Sequence, residues 1–197
     1  GEDDQVPDNV LDSLASRLMH LDEEVRGVVD LVAVVPGRCE RSVVEAHHPG
    51  SAAILEGARE RGFLDHDEQS VWFRHELARR AVEEAIPPER RRRLHRIVVA
   101  TLVRQGADPA RIVHHADHGD DIDVLLQYGP LAARQARSVA AHQEARSHLS
   151  RLLPYLESLP MEDRAAVLSE YAELSHFVDE QTAALDAGGR AILAELL

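Results

Sequence analysis

His75 stands where the sequence pattern changes from strand to helix. The residues before it, Val71–Trp72–Phe73, are β-branched or aromatic and predict a short strand. The residues after it recur at helical spacing as far as a Pro-Pro pair, which predicts a helix over 74–86. Backbone N–H groups at a helix start attract anions, and an imidazole there adds a donor. His75 is therefore a candidate anion ligand, and a capping or buried, hydrogen-bonded histidine is the plainer alternative.

Three further histidines, His114, His115 and His118, have a spacing that a metal site could use. His114 and His118 share one face of a predicted helix. No cysteine accompanies them, and the nearby acids lie at the predicted helix end. The other histidines are scattered, and no serine stands in a Gly-x-Ser-x-Gly elbow. We expect no metal site and no catalytic residue, while a metal-dependent enzyme built on His114 and His118 stays an open alternative.

The strongest basic feature is the arginine run 90–93 with Arg96. Four consecutive helical residues point around the whole circumference, so they do not form one patch. Glu83, Glu84 and Glu89 lie close enough in sequence to neutralise them. The formal net charge of −13 also opposes binding to a phosphate backbone. We expect a solvated, ion-paired face and no direct contact with nucleic acid.

The basic residues are all arginine, since the chain contains no lysine. A P-loop needs a lysine to reach the β- and γ-phosphates of ATP, which excludes a P-loop ATPase within this chain. The single cysteine, Cys39, excludes an internal disulfide, and no apolar run approaches the roughly 20 residues of a membrane span. The acidic start lacks the apolar core of a signal peptide. We expect a cytoplasmic protein without membrane contact, and the missing initiator methionine indicates a piece of a longer chain.

Apolar periodicity predicts helices along most of the chain, interrupted by one β-hairpin. The first helix begins at Pro7, and its apolar stripe consists of Val10, Leu11, Leu14, Leu18 and Leu21. Helices over 22–35, 40–46 and 51–61 follow, and Ser51 is the predicted cap of the last one. Phe63–Leu64 and Val71–Trp72–Phe73 form the hairpin. Several helices followed by a hairpin is the element order of a winged helix.

The second half of the sequence reads as helical hairpins. Helices are predicted over 89–105, from Pro109 onward, and at about 122–140, 141–158, 162–178 and 180–197, with breaks at Pro160 and Asp179. Small residues at helix crossings are typical of stacked repeats. The residues in such positions are Ala132, Ala133, Ala136, Ala145, Leu149 and Leu152, then Tyr171, Ala172, Ala184 and Ala191. We predict a mainly α fold: a winged-helix-like domain over 1–86, connecting helices over 87–120, and tetratricopeptide-like antiparallel hairpins over 121–197.

The segment Phe73-Arg74-His75-Glu76-Leu77-Ala78-Arg79-Arg80-Ala81 resembles the end of the winged-helix subdomain in STAND-type ATPases. It is particularly similar to the large ATP-binding regulators of the LuxR type in high-GC bacteria, and the resemblance runs from about Pro7 to the C-terminus. In those proteins a P-loop ATPase domain precedes the winged helix, and helical repeats and often a DNA-binding domain follow. A His-His-Ala sequence before an acidic turn, as at His114, is also usual there without a metal.

The resemblance implies a non-catalytic regulatory fragment that couples nucleotide state to signal or partner binding. ATP or ADP would be held by an upstream nucleotide-binding domain of the same chain, and this fragment would hold no cofactor. The helical repeats would receive an unknown protein or small-molecule signal, and self-association stays open. Similarity to the Met-His-Asp motif of related eukaryotic switches would put His75 at the β-phosphate of ADP, although Glu76 replaces the aspartate.

The alternative is a stand-alone winged-helix DNA-binding repressor with a helical dimerisation domain. Its recognition helix would be the predicted helix 52–61. That helix carries Glu56 and Glu60 beside Arg59 and Arg61, and it contains no Asn, Gln or Lys to contact base edges.

Overall fold

The computed structural model describes residue 18 and residues 21–195, with side chains up to residue 181. This part of the chain is mainly helical with one small antiparallel sheet, as the sequence predicts. The chain divides into two compact units, 1–105 and 106–197. The division falls inside the predicted connecting segment 87–120, whose two helices therefore belong to different units. Among the described helices, none combines the length and apolar composition that crossing a membrane requires.

The first unit has the element order of a winged helix. Its described helices and strands are α1 (Glu23–Ala33), β1 (Arg38–Glu40), α2 (Arg41–His47), α3 (Ala52–Glu60), β2 (Leu64–His66), β3 (Ser70–Phe73), α4 (Glu76–Ala85) and α5 (Pro88–Gln105). The predicted helix that begins at Pro7 lies outside the described residues apart from Leu18, which is buried, and Leu21.

The sheet contains one strand more than the predicted hairpin. β2 and β3 pair antiparallel with Asp65 opposite Trp72, and β1 pairs with the other edge of β3, placing Cys39 opposite Val71. The strand order is therefore β1-β3-β2. β1 has only three residues and follows Gly37, whose φ of 76° turns the chain back from α1. A segment of three residues is too short to show a periodicity in the sequence. It is a strand only because it pairs with β3.

α1 is the centre of the first unit. Its residues Val28, Val29, Leu31, Val32 and Ala33 are all buried. The sequence predicts this burial because a helix rich in β-branched residues depends on tertiary packing. Helices α3 and α4 and strand β3 pack around it.

Ser51 does not cap α3 as predicted. Its side chain makes no capping hydrogen bond, and its hydroxyl instead donates to Glu45 Oε2 at 2.8 Å. Ser51 is fully buried, so the hydroxyl is satisfied by the nearest carboxylate in the α2–α3 turn. That hydrogen bond and the N–H of Gly50, which also donates to Glu45, lower the pKa of the Glu45 carboxyl. The predicted stop at Gly62 is confirmed, since its φ is 76°.

The second unit consists of α6 (Pro109–His118), α7 (Ile122–Ser138), α8 (His142–Ser150), a 3-10 helix (Leu153–Ser158) and α9 (Met161–Glu195). Short turns join α6 to α7 and α7 to α8, which makes consecutive helices antiparallel hairpins. The small residues predicted at the first crossings are buried, including Ala132, Ala133 and Ala145. Leu149 and Leu152 are also buried, so this part of the predicted packing is confirmed.

Two predicted boundaries in this unit are wrong. The helix predicted over 141–158 ends at Ser150 and continues as a 3-10 turn, because Pro154 cannot donate a backbone hydrogen bond. The predicted break at Asp179 is absent, and α9 runs through it without interruption. A single aspartate lowers helix propensity only slightly, so it does not end a helix. Residues 162–178 and 180–197 therefore do not form a second hairpin, and Ala172 is exposed rather than packed at a crossing.

Candidate functional site

His75 lies at the junction of β3 and α4, as the sequence predicts. It occupies the N-cap position with φ −130° and ψ 125°, and its side chain makes no capping hydrogen bond. The side chain is exposed, and it has no hydrogen bond or ion pair with any residue that the structure describes. The capping alternative and the buried alternative are therefore both wrong. The imidazole is available to a group outside this unit.

The residues that flank His75 are held in place. Phe73 is buried in the core at the end of β3. Glu76 forms an ion pair with Arg79 at 2.7 Å, and Glu83 binds the same guanidinium at 2.7 Å from the other side. Arg79 Nη1 also donates to the backbone oxygen of Ala33, at 2.5 Å. The motif therefore consists of a core anchor, an exposed histidine and an acid that fixes a buried arginine.

The Arg79 contacts fasten α4 to the C-terminal end of α1. The last carbonyl groups of a helix have no partner within the helix, and a buried one needs a donor from elsewhere. Arg79 supplies that donor to Ala33, while both residues are buried. Glu76 and Glu83 raise the pKa of the Arg79 guanidinium against the opposing effect of its burial, so the group stays charged. We call these contacts of Arg79 with Ala33, Glu76 and Glu83 the Arg79 latch. The latch fixes the start of α4, and with it the backbone position of His75.

The junction offers one imidazole and the backbone N–H groups of a helix start. Glu76 adds a negative charge to the first turn of α4, which repels an anion at the helix start. An isolated anion is therefore not held well here.

The three candidate metal ligands on α6 have different surroundings. His115 is buried, and the Nδ1 of His118 is bonded to the carbonyl of His114 at 2.8 Å, which satisfies the end of the helix. The rings of His114 and His118 are 4.4 Å apart. Within the described residues, no group of three or more His, Cys, Asp or Glu side chains converges as metal ligands do. The histidines thus serve the packing and the end of α6.

The arginines that could face DNA in the first unit are ion-paired. On α3, Arg59 binds Glu56, and this hydrogen bond lowers the pKa of the Glu56 carboxyl. Arg61 reaches Asp22 at 3.3 Å. Arg38, on β1, lies beside the β2–β3 hairpin, which we call the wing, and its guanidinium is 3.8 Å from the centre of the Trp72 ring.

Arg38 also binds Asp67, at 2.9 Å. The N–H groups of Gln69 and Ser70 hold the pKa of the Asp67 carboxyl below its usual value, so this partner stays ionised. At these positions on α3 and beside the wing, the arginines are therefore paired with acids, which weakens any contact with a phosphate backbone.

The arginine run on α5 is only partly ion-paired: Arg90 and Arg92 have acidic partners, whereas Arg93 forms no ion pair with a described residue. Arg92 binds Glu89, whereas Glu83 belongs to the Arg79 latch. Arg90 reaches Asp30 of α1 at 3.0 Å, and Arg26 holds the same carboxylate at 2.7 Å. Asp30 is buried, and the sequence shows it only as one acid within an apolar run. That isolated acid was the available signal for a buried ion pair between α1 and α5.

No family model matches the chain, and no curated protein matches it in sequence.

Proposed function

We propose that this chain is a non-catalytic regulatory segment of a bacterial, cytoplasmic signal-transducing ATPase, of the STAND type and similar to the LuxR-type regulators. In this proposal the winged-helix unit responds to ATP or ADP held by an upstream nucleotide-binding domain. The helical hairpins receive a protein or small-molecule signal. His75 donates to a phosphate of the bound nucleotide in the resting state.

One observation carries the proposal: His75 is exposed and unengaged, while the residues on both sides of it are locked into the fold. An exposed side chain with no partner needs no rigid support for its own sake. A contact with another domain does require that the start of α4 be held in a fixed position. The ion pairs on α3 and the wing add support, because they favour a contact between domains over a contact with DNA.

The experiment measures ATP turnover by the full-length parent without its signal. If His75 stabilises the resting state, the His75→Ala variant should turn over ATP faster than the wild type in the absence of signal. The His176→Ala variant is the matched control, because it removes another exposed histidine, on α9. Equal turnover by the wild type and His75→Ala would contradict the proposed role.

The fragment alone provides a second test. It should not bind ATP above background, because it contains no lysine for a phosphate loop. Saturable binding of ATP by the isolated chain would assign the nucleotide site to these residues and contradict the proposed division of roles.

The alternative, a DNA-binding repressor, is favoured by the element order of the first unit. It predicts that the chain shifts duplex DNA in a mobility assay, with an affinity that falls steeply as salt rises. The ion-paired arginines and the net charge of −13 lead us to expect no shift even at low salt.

A further inference from the structure

The first unit contains a cleft between α1, the end of α2 and α5. Its volume is about 400 Å³. Leu94 and Ile97 of α5 give it an apolar side, and charged residues from α1 and α5 also line it. A volume of this size lies within the range of small-molecule sites, which combine apolar walls with a few polar groups. We call it the α1–α5 cleft.

Gly27 and His48 shape one side of the cleft. A Cβ atom at Gly27 would lie 3.0 Å from His48 Cε1, so the ring packs directly on the α1 backbone. The Nε2 atom of His48 is buried and has no hydrogen-bond partner within the described residues. Burial lowers the pKa of His48, and the neighbouring His47 lowers it further, while Glu24 opposes both. His48 is therefore neutral near pH 7 and adds no charge to the cleft.

The cations and acids of the cleft are not equally engaged. Arg90 is already bound to the buried Asp30, at 3.0 Å. Arg93 is exposed and has no ion pair with any described residue. The same holds for Glu23 and Glu24 on the opposite helix. One uncommitted cation and two uncommitted acids thus line the same space without binding one another.

We propose that the α1–α5 cleft binds a small zwitterion that also has an apolar part. Its carboxylate binds Arg93, its ammonium group binds Glu23 and Glu24, and its apolar part lies on Leu94 and Ile97. A purely anionic ligand would be repelled by the two acids, and a purely cationic one by the arginines of α5. A ligand that carries both charges satisfies both walls at once.

The test uses the chain alone, with two zwitterionic probes, leucine and 6-aminohexanoate. Leucine carries its two charged groups on one carbon atom, and 6-aminohexanoate carries them at opposite ends of its chain, so the two probes test two charge spacings. Hexanoate and hexylamine are the matched probes with a single charge. Titration is followed by calorimetry and by NMR shifts. We expect saturable binding of at least one zwitterion, and binding of each single-charge probe at least about tenfold weaker, since a charge-assisted hydrogen bond contributes about one decade or more.

Variants then assign the site. Arg93→Gln and Glu24→Gln should each weaken the bound zwitterion by roughly tenfold or more. Glu24→Gln should also strengthen hexanoate, because it removes a repulsive charge. Arg91→Gln is the control, since it lies on the same helix but does not line the cleft. Arg93 and Glu24 are exposed and Arg91 is half-buried, and circular dichroism of each variant checks that it folds.

Three results would each overturn the proposal. The first is that neither zwitterion binds saturably. The second is that hexanoate or hexylamine binds as tightly as the zwitterions. The third is that Arg91→Gln weakens binding as much as Arg93→Gln. None of these results bears on His75, so this test and that of the proposed function fail independently.

Discussion

Replacing Arg79 with methionine should destabilise the first unit strongly. Methionine keeps most of the apolar stem, so the change removes mainly the guanidinium contacts. The hydrogen bond to the Ala33 carbonyl, from a charged donor, is worth about 1.5–3 kcal/mol. The Glu76 and Glu83 side chains are 58% and 23% exposed, so solvent screening limits each ion pair to at most about 1 kcal/mol. We expect a loss of about 2–4 kcal/mol in the free energy of unfolding.

The assay is thermal unfolding followed by tryptophan fluorescence. Trp72, on β3, is the single tryptophan of the chain, so its signal reports on the first unit alone. For a unit of about this size, each kcal/mol shifts Tm by about 4–8 °C, which predicts a decrease of roughly 10–30 °C. Arg80→Met is the matched control, because Arg80 is exposed and forms no ion pair with a described residue. If the two variants unfold at the same temperature, the latch does not stabilise the unit as argued.

Two further predictions concern the second unit. Burial lowers the pKa of His148 from its ordinary 6.5, so the folded state holds this ring neutral and the unfolded state binds a proton first. The stabilisation is present above about pH 6.5 and is lost as the pH falls, so the unfolding temperature should decrease on acidification. The decrease, measured by circular dichroism, should be less steep in His148→Gln. Equal slopes for the wild type and the variant would contradict this prediction. Gly129→Ala should destabilise by about 0.5–2 kcal/mol, because its Cβ would lie 2.6 Å from Cδ2 of the fully buried Leu152, and overpacking exceeds the gain in helix propensity. Gly57→Ala is the control, because its Cβ would meet only the flexible end of the Arg61 side chain, and its stability in urea unfolding should be unchanged or increased. An equal loss of stability in both variants would mean that the contact with Leu152 is not the cause.

Local patterns predicted most of the helices and the strand-to-helix junction. The apolar runs of α1 and α5 have a period that only a helix satisfies, and glycines such as Gly62 and Gly106 adopt the positive φ that ends a helix. Tertiary contacts decided the rest. β1 pairs with the second edge of β3, and the hydroxyl of Ser51 donates to the carboxylate of Glu45, on the preceding helix, instead of capping its own helix.

The candidate site was only partly predictable. The sequence placed His75 between a strand and a helix, but nothing local determines whether its ring is buried or exposed. The hydrogen bond from Arg79 to the Ala33 carbonyl and the ion pair between Arg90 and Asp30 join positions far apart in sequence, so the sequence does not show which partners meet. α9 runs through Asp179 without a break, because a single aspartate lowers helix propensity only slightly and the helix-forming residues around it outweigh that effect.

The most direct test of the proposed function measures the ADP release rate and the melting temperature on the same variant, His75→Ala, in the full-length parent. A hydrogen bond to a charged phosphate is worth about 1.5–3 kcal/mol, so its loss should speed ADP release or shift the closed-to-open equilibrium by roughly 10- to 150-fold. Because the side chain is exposed and makes no hydrogen bond in the described chain, the melting temperature without nucleotide should stay unchanged. An unchanged ADP release rate together with a lowered melting temperature would show that His75 is structural and would contradict the account.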